Sequence, residues 1–288
     1  MSTLPDSAPR ARAGRDGADA ERERLLAADP ESANYHYRDD DTGPGQPGGA
    51  AAGGNIASSS TDPLGAGEEN GIKPEGRPGD TTARNLAFIG AATLVITTWV
   101  AVISNDPVSY GWFAFHPPLQ TLALCFFTYG IMTLQPTYQP RTKAAGFIRH
   151  QTAIFYFAFP LIALGTLAAI YNKILRGYPH FKTWHATFGL LCIIWIFVQI
   201  FLGAGSVWNG GSLFGGGMKA KAVWKYHRMS GYILFPLMLV TAHLGGGWSD
   251  WGHHYTSDVV RFLAYTVAPA VIFLCVYSRI RPSKMKFW

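Results

Sequence analysis

HATFGLLCIIWIFVQIFLGAGS, residues 185–206, holds no charged side chain in 22 positions. At about 1.5 Å per residue in a helix, that run spans the roughly 30 Å hydrocarbon core of a bilayer. Five more apolar runs of similar length surround it, at 86–104, 116–135, 150–172, 226–246 and 262–278. Proline and glycine punctuate the gaps, in Asp106-Pro107, Gln135-Pro136, Tyr178-Pro179 and the glycine-rich stretch 210–217. That stretch has no Gly-Lys-Ser/Thr ending, so it reads as a flexible linker and not as a phosphate-binding loop. The expected fold is all-α, a bundle of six transmembrane helices over residues 85–288.

Charge separates this body from what precedes it. Residues 1–84 carry 9 Lys/Arg and 15 Asp/Glu, whereas residues 85–288 carry 15 Lys/Arg and only Asp106, Asp250 and Asp258. A soluble domain has roughly a quarter of its residues charged, but the body has 18 in 204. A single soluble enzyme is therefore excluded. So is a disulfide-stapled secreted domain, because Cys125, Cys192 and Cys275 are far apart and each lies inside an apolar run. The first 84 residues hold 13 Gly, 8 Pro, no Trp or Phe, and six Leu, Ile and Val together. They cannot bury enough apolar surface to offset the entropy of ordering, so a disordered tail is expected. No apolar stretch near its start suggests a cleaved secretory signal.

Flanking basic residues set the orientation. With the N-terminus inside, Arg77, Arg84, Arg141, Lys143, Arg149, Lys219, Lys221, Lys225, Arg228, Arg279, Arg281, Lys284 and Lys286 face the cytoplasm. Only Lys173, Arg176, Lys182 and Arg261 then face out. Thirteen against four places both termini in the cytoplasm.

Four histidines stand where runs two to five begin: His116, His150, His185 and His227. Consecutive helices reverse direction, so His116 and His185 belong near the outer face, and His150 and His227 near the cytoplasmic face. Titratable groups in membrane helices are costly and usually functional, and imidazole is a common axial ligand of haem iron. Gly189 and Gly231 each follow a histidine by four positions on the same helix face, leaving a flat space for a macrocycle. No Cys, Asp or Glu stands beside the histidines, which disfavours zinc or di-iron. Absence of Cys-x-x-Cys-His excludes covalent c-type attachment. His180 and His243 are rivals for outer ligation, whereas His36 is in the tail and His253 and His254 are in the last outer loop. The plainer reading makes the four histidines headgroup-level polar residues or partners in interhelical hydrogen bonds.

The segments Trp112–Pro117, Phe147–His150, Lys182–Gly189 and Tyr226–Gly231 resemble the cytochrome b561 family, in order and over residues 85–280. The likeness is to the stand-alone six-helix form. It implies two b haems per chain held by helices two to five, with His116 and His185 on the outer one and His150 and His227 on the cytoplasmic one. Two histidines on each iron leave outer-sphere electron transfer, across irons roughly 20 Å apart for one turn inside each face. Phe126, Phe127, Phe155, Tyr156, Phe157, Phe159, Trp195 and Phe197, lying between the pairs, are expected to be packing residues.

The resemblance also implies ascorbate or a similar small reductant as cytoplasmic donor, and a ferric chelate or monodehydroascorbate as outer acceptor. An anionic donor needs cations beside the cytoplasmic haem, and Arg141, Lys143, Arg149, Lys221, Lys225 and Arg228 supply them. Ala144 and Ala145 stand where the family has basic residues. Lys173, Arg176, His180 and Lys182 form the candidate acceptor loop, or a site for lipid phosphate. Membrane lipid is the expected surrounding, no nucleic acid is expected, and a homodimer is left open. The host membrane is an endomembrane of vacuole, vesicle or ER type, or the plasma membrane. The alternatives are a haem-binding carrier subunit serving protein partners, and a haem-free six-helix transporter.

Overall fold

The computed structural model describes residues 76–134 and 140–281, with side chains from 142 onward in the second stretch. The described residues are helical, without strands. They form α1 (Asp80–Ile103), α2 (His116–Leu134), α3 (residues 140–175), α4 (Trp184–Gly205), α5 (Gly217–Gly247) and α6 (Asp258–Ser278). Tight 3-10 turns at Gly111–Phe115 and Trp208–Phe214 precede α2 and α5, and a short helix at Asp250–Tyr255 precedes α6.

All of these main helices except α2 are long and apolar enough to cross a membrane. The 19-residue α2 begins with His116, Pro117, Pro118 and Gln120, which lower its hydropathy. Large apolar side chains face outward, among them Ile89, Ile96, Ile194 and Leu274. Water would make that surface aggregate, and lipid makes it the expected exterior. The chain is an integral membrane protein.

Helices run past the apolar segments that reveal them. The first helix begins at Asp80, not in the 86–104 run, because hydropathy marks where a chain enters lipid and not where helix begins. Residues 80–84 therefore belong to α1 and not to the tail; residues 1–75 lie outside the described ones. For the same reason α3 begins ten positions before His150, at Pro140, and α5 begins at Gly217. The stretch 210–217 corrects the flexible-linker expectation. Gly211 has φ +73°, and a side chain there would collide with Ala220 and the Ser206 carbonyl. Its glycines permit a tight reversal, which is a steric need rather than slack.

α1 packs between α2 and α6, with Gly90 so close to α6 that a Cβ would meet Ile272 at 3.0 Å. Small residues allow such approach where no hydrophobic drive separates lipid from protein. The Thr98 hydroxyl meets the Tyr265 hydroxyl at 2.9 Å across the α1–α6 seam. Threonines elsewhere satisfy themselves on their own helices, as Thr128 does by donating to the Leu124 carbonyl at 2.7 Å. From α3 the order around the bundle is α3, α2, α1, α6, α5, α4. Thus α2 pairs with α3 and α4 with α5, and the two hairpins face one another with little backbone contact. Side chains such as Phe159 and Phe197, 5.2 Å between ring centres, reach across.

Candidate functional site

Each helix that carries one of the four histidines presents it toward the opposite hairpin. The His116 and His185 rings lie 5.9 Å apart between centres, with planes at 85°. The His150 and His227 rings lie 6.3 Å apart at 87°. Helix direction alone predicts these partnerships, and the packing brings these rings together.

Backbone carbonyls orient the rings. His116 Nδ1 donates to the Gly165 carbonyl at 2.9 Å, and His150 Nδ1 donates to the Gly130 carbonyl at 3.2 Å, each across the α2–α3 seam. His185 Nδ1 donates to the Thr241 carbonyl at 2.9 Å across the α4–α5 seam. A ring whose Nδ1 carries the donated proton keeps a lone pair on Nε2 for a metal. The fourth ring, His227, has the Gln199 carbonyl beside it, but its buried Nδ1 makes no hydrogen bond of good geometry.

Glycines provide the seats. A Cβ on Gly245 would stand 2.6 Å from His185 Cε1, and a Cβ on Gly203 would stand 3.0 Å from His227 Cε1. Each ring therefore lies against bare backbone of the neighbouring helix. Gly189 and Gly231 behave differently: a Cβ there would meet one ordinary contact at 3.8 Å, to Thr241 and Gln199 respectively. The space over them is open. Along α4 run His185, Gly189, Gln199 and Gly203, and along α5 run His227, Gly231, Thr241 and Gly245, with identical spacing. Because the helices are antiparallel, that spacing makes each one the other's mirror in depth. The Gly203 and Gly245 seats were legible as this repeated interval.

This arrangement fits haem. With a metal–nitrogen bond of about 2 Å and about 1.1 Å from nitrogen to ring centre, two imidazoles on opposite sides of one iron sit about 6.2 Å apart between centres. Both observed separations lie within a few tenths of an ångström of that. No group of three or more His, Cys, Asp or Glu that could hold a bare metal ion occurs among the described residues, whereas haem iron needs only two protein donors. The backbone gap between the hairpins lies where a macrocycle would need room.

The rivals go elsewhere. His243 Nδ1 donates to the Tyr265 carbonyl of α6 at 2.8 Å, and His180 packs on Phe181 at 5.9 Å. His254 packs on Tyr255, and His36 lies outside the described residues. In the loop between α3 and α4, Lys173 donates to the Pro179 carbonyl at 3.0 Å and Arg176 donates to the Ser109 carbonyl at 2.9 Å; Lys182 is exposed. At the opposite end Arg149 donates to the Thr133 carbonyl at the close of α2, at 3.3 Å, and Lys225 sits 5.2 Å over the Tyr226 ring. Lys143, Lys221 and Arg228 are half-buried near the same helix starts, and the Arg141 side chain lies outside the described residues. Phe126 and Phe157 stack at 4.9 Å.

Residues 115–251 match the family model described as eukaryotic cytochrome b561. A comparison with curated proteins finds no match.

Proposed function

The chain belongs to the cytochrome b561 family, whose work is transmembrane electron transfer, and on that premise we propose a two-haem carrier. Its donor is a cytoplasmic ascorbate-like reductant, and its acceptor on the outer side is ferric iron or monodehydroascorbate. The observation that carries this reading is the pair of facing imidazole couples, 5.9 and 6.3 Å between ring centres. When bound, a b haem supplies a one-electron ferric/ferrous couple.

His116 and His185 hold the outer group, and His150 and His227 the cytoplasmic one. Two histidines holding each group would leave its iron no open position, so donor and acceptor would exchange electrons with it from outside. Gly189 and Gly231 leave the space that a flat macrocycle fills. Arg141, Lys143, Arg149, Lys221, Lys225 and Arg228 draw an anionic reductant to the cytoplasmic mouth by charge-assisted hydrogen bonds. Lys173, Arg176, His180 and Lys182 receive the acceptor. In this reading α2 is the sixth span, and both termini are cytoplasmic by the positive-inside imbalance.

The deciding measurement is the haem-to-protein ratio of the purified chain, read with a reduced-minus-oxidised spectrum. Two haems per chain and a b-type α-band are expected. A protein without that band would overturn the proposal. Reduction by ascorbate alone, with no added protein, separates the direct oxidoreductase from a subunit that depends on partners.

A further inference from the structure

The matched spacing of α4 and α5 breaks in chemistry at one place, where Gln199 stands opposite the part played by Thr241. The Thr241 hydroxyl donates to the Leu237 carbonyl of its own helix at 2.8 Å, so it is satisfied without help. Gln199 is only 8% exposed, yet neither its Nε2 nor its Oε1 has a hydrogen-bond partner. The nearest indole on its helix is already used, since Trp195 Nε1 donates to Ser230 Oγ at 2.7 Å. An amide offers two donors and two acceptor positions, and burying it unmatched inside a membrane protein is costly. A side chain kept there at such cost has something to face.

Its direction is fixed by the neighbouring helix. Gln199 Nε2 lies 3.8 Å from where a Gly231 Cβ would stand. Gly231 follows His227 by one turn, and the space above it is open. The amide nitrogen therefore lies at the flank of the His150–His227 pair. The corresponding place beside Gly189 receives only the Thr241 methyl, also at 3.8 Å.

We propose that the Gln199 amide faces the haem held by His150 and His227 and raises that centre's reduction potential relative to an apolar residue. This rests on the two-haem reading above. Reduction adds one electron to the bound group, and the positive end of an N–H dipole stabilises the added charge, strongly so where no water screens it. Beside Gly189 the matching place at the His116–His185 centre receives a methyl and not an amide, so this side chain makes the two centres unequal there.

The test is a spectroelectrochemical titration of the full chain with Gln199→Met, which keeps volume and removes the dipole. The same substitution is repeated in a His116→Ala background, where only the His150–His227 centre is left. Expected is about a tenfold loss in the equilibrium constant for reducing that centre, which is 59 mV for a one-electron couple. The other centre should not move. The haem-free protein should unfold at a higher temperature, because an unmatched buried amide is gone. If Gln199→Met fails to hold haem, Gln199→Thr copies the self-satisfying residue of α5 and should give the same loss. Unchanged potentials with two haems bound would overturn the proposal, as would equal shifts in both centres or a rise. Loss of haem from both variants would also overturn it, by making the amide a brace. A wild-type chain that binds no haem would instead defeat the two-haem reading itself.

Discussion

Arg279 donates from Nη1 to the Asp80 main-chain carbonyl at 3.0 Å, which fastens the end of α6 to the start of α1. Both residues are buried, and Arg279 Nε stands 4.0 Å from the Asp80 carboxylate. Arg77 adds to the clasp, donating to the Ser278 carbonyl at 2.9 Å and reaching the same carboxylate at 3.3 Å. Residues 77–84, counted with the expected disordered tail on composition alone, therefore pack on the bundle.

Truncation should find that boundary. Deleting residues 1–75 is expected to leave haem content and unfolding temperature unchanged. Asp80→Ala leaves a buried guanidinium without its carboxylate, a loss of about 3 kcal/mol or more. Thermal unfolding in detergent checks both; an Asp80→Ala protein as stable as wild type would remove the clasp from the account.

The histidine pairs should fail one at a time. His150→Ala or His227→Ala is expected to remove about half the haem and spare the other centre, since in the two-haem proposal each iron would depend on two imidazoles. His116→Ala or His185→Ala should give the converse loss. Haem quantitation with low-temperature spectra reads this, and equal depletion of both centres by every variant would contradict the pairing.

Four glycines should divide into two classes. Gly245→Ala puts a methyl 2.6 Å from His185 Cε1 and Gly203→Ala puts one 3.0 Å from His227 Cε1. Overpacking of that kind costs about 1–3 kcal/mol, so each should disturb its own centre, Gly245→Ala the more severely. Gly189→Ala and Gly231→Ala should leave the haem-free fold intact, because the added atom meets only a 3.8 Å contact, and should weaken haem retention alone. Thermal unfolding with and without haem separates the classes.

At the bundle end that carries His150 and His227, Lys143→Ala combined with Lys221→Ala should slow reduction by ascorbate about tenfold, as expected when a charge-assisted hydrogen bond to an anion is lost. Dithionite should still reduce both centres, and the spectra should not change. Stopped-flow traces that match wild type would assign these lysines to membrane orientation only.

Hydropathy located the helices because a bilayer demands apolar length. It missed their polar ends, where α3 and α5 continue to Pro140 and Gly217 through Lys- and Arg-bearing turns that are helical but not apolar. The partnership of His116 with His185 and of His150 with His227 was readable from alternating direction alone. The acceptors of their Nδ1 protons were not, since the carbonyls of Gly130, Gly165 and Thr241 carry no signature in side-chain identity. His243 could be dismissed only in three dimensions, by its bond to Tyr265 on a helix that holds no member of either pair. Gln199 looked like one polar letter in an apolar run until its isolation was visible.

Because α2 lies along α3 and α4 along α5, each hairpin can make its internal backbone packing as soon as its second helix leaves the ribosome, while the α5–α6 seam waits for α6. Neither hairpin needs the backbone of the other to settle in the bilayer. Closure between them falls to side chains, and to whatever the imidazoles grip. On the two-haem reading, the clasping of the two halves would be timed by cofactor supply rather than by translation. On that reading a cell short of iron would make the same polypeptide, inserted and helical, with that closure unsecured.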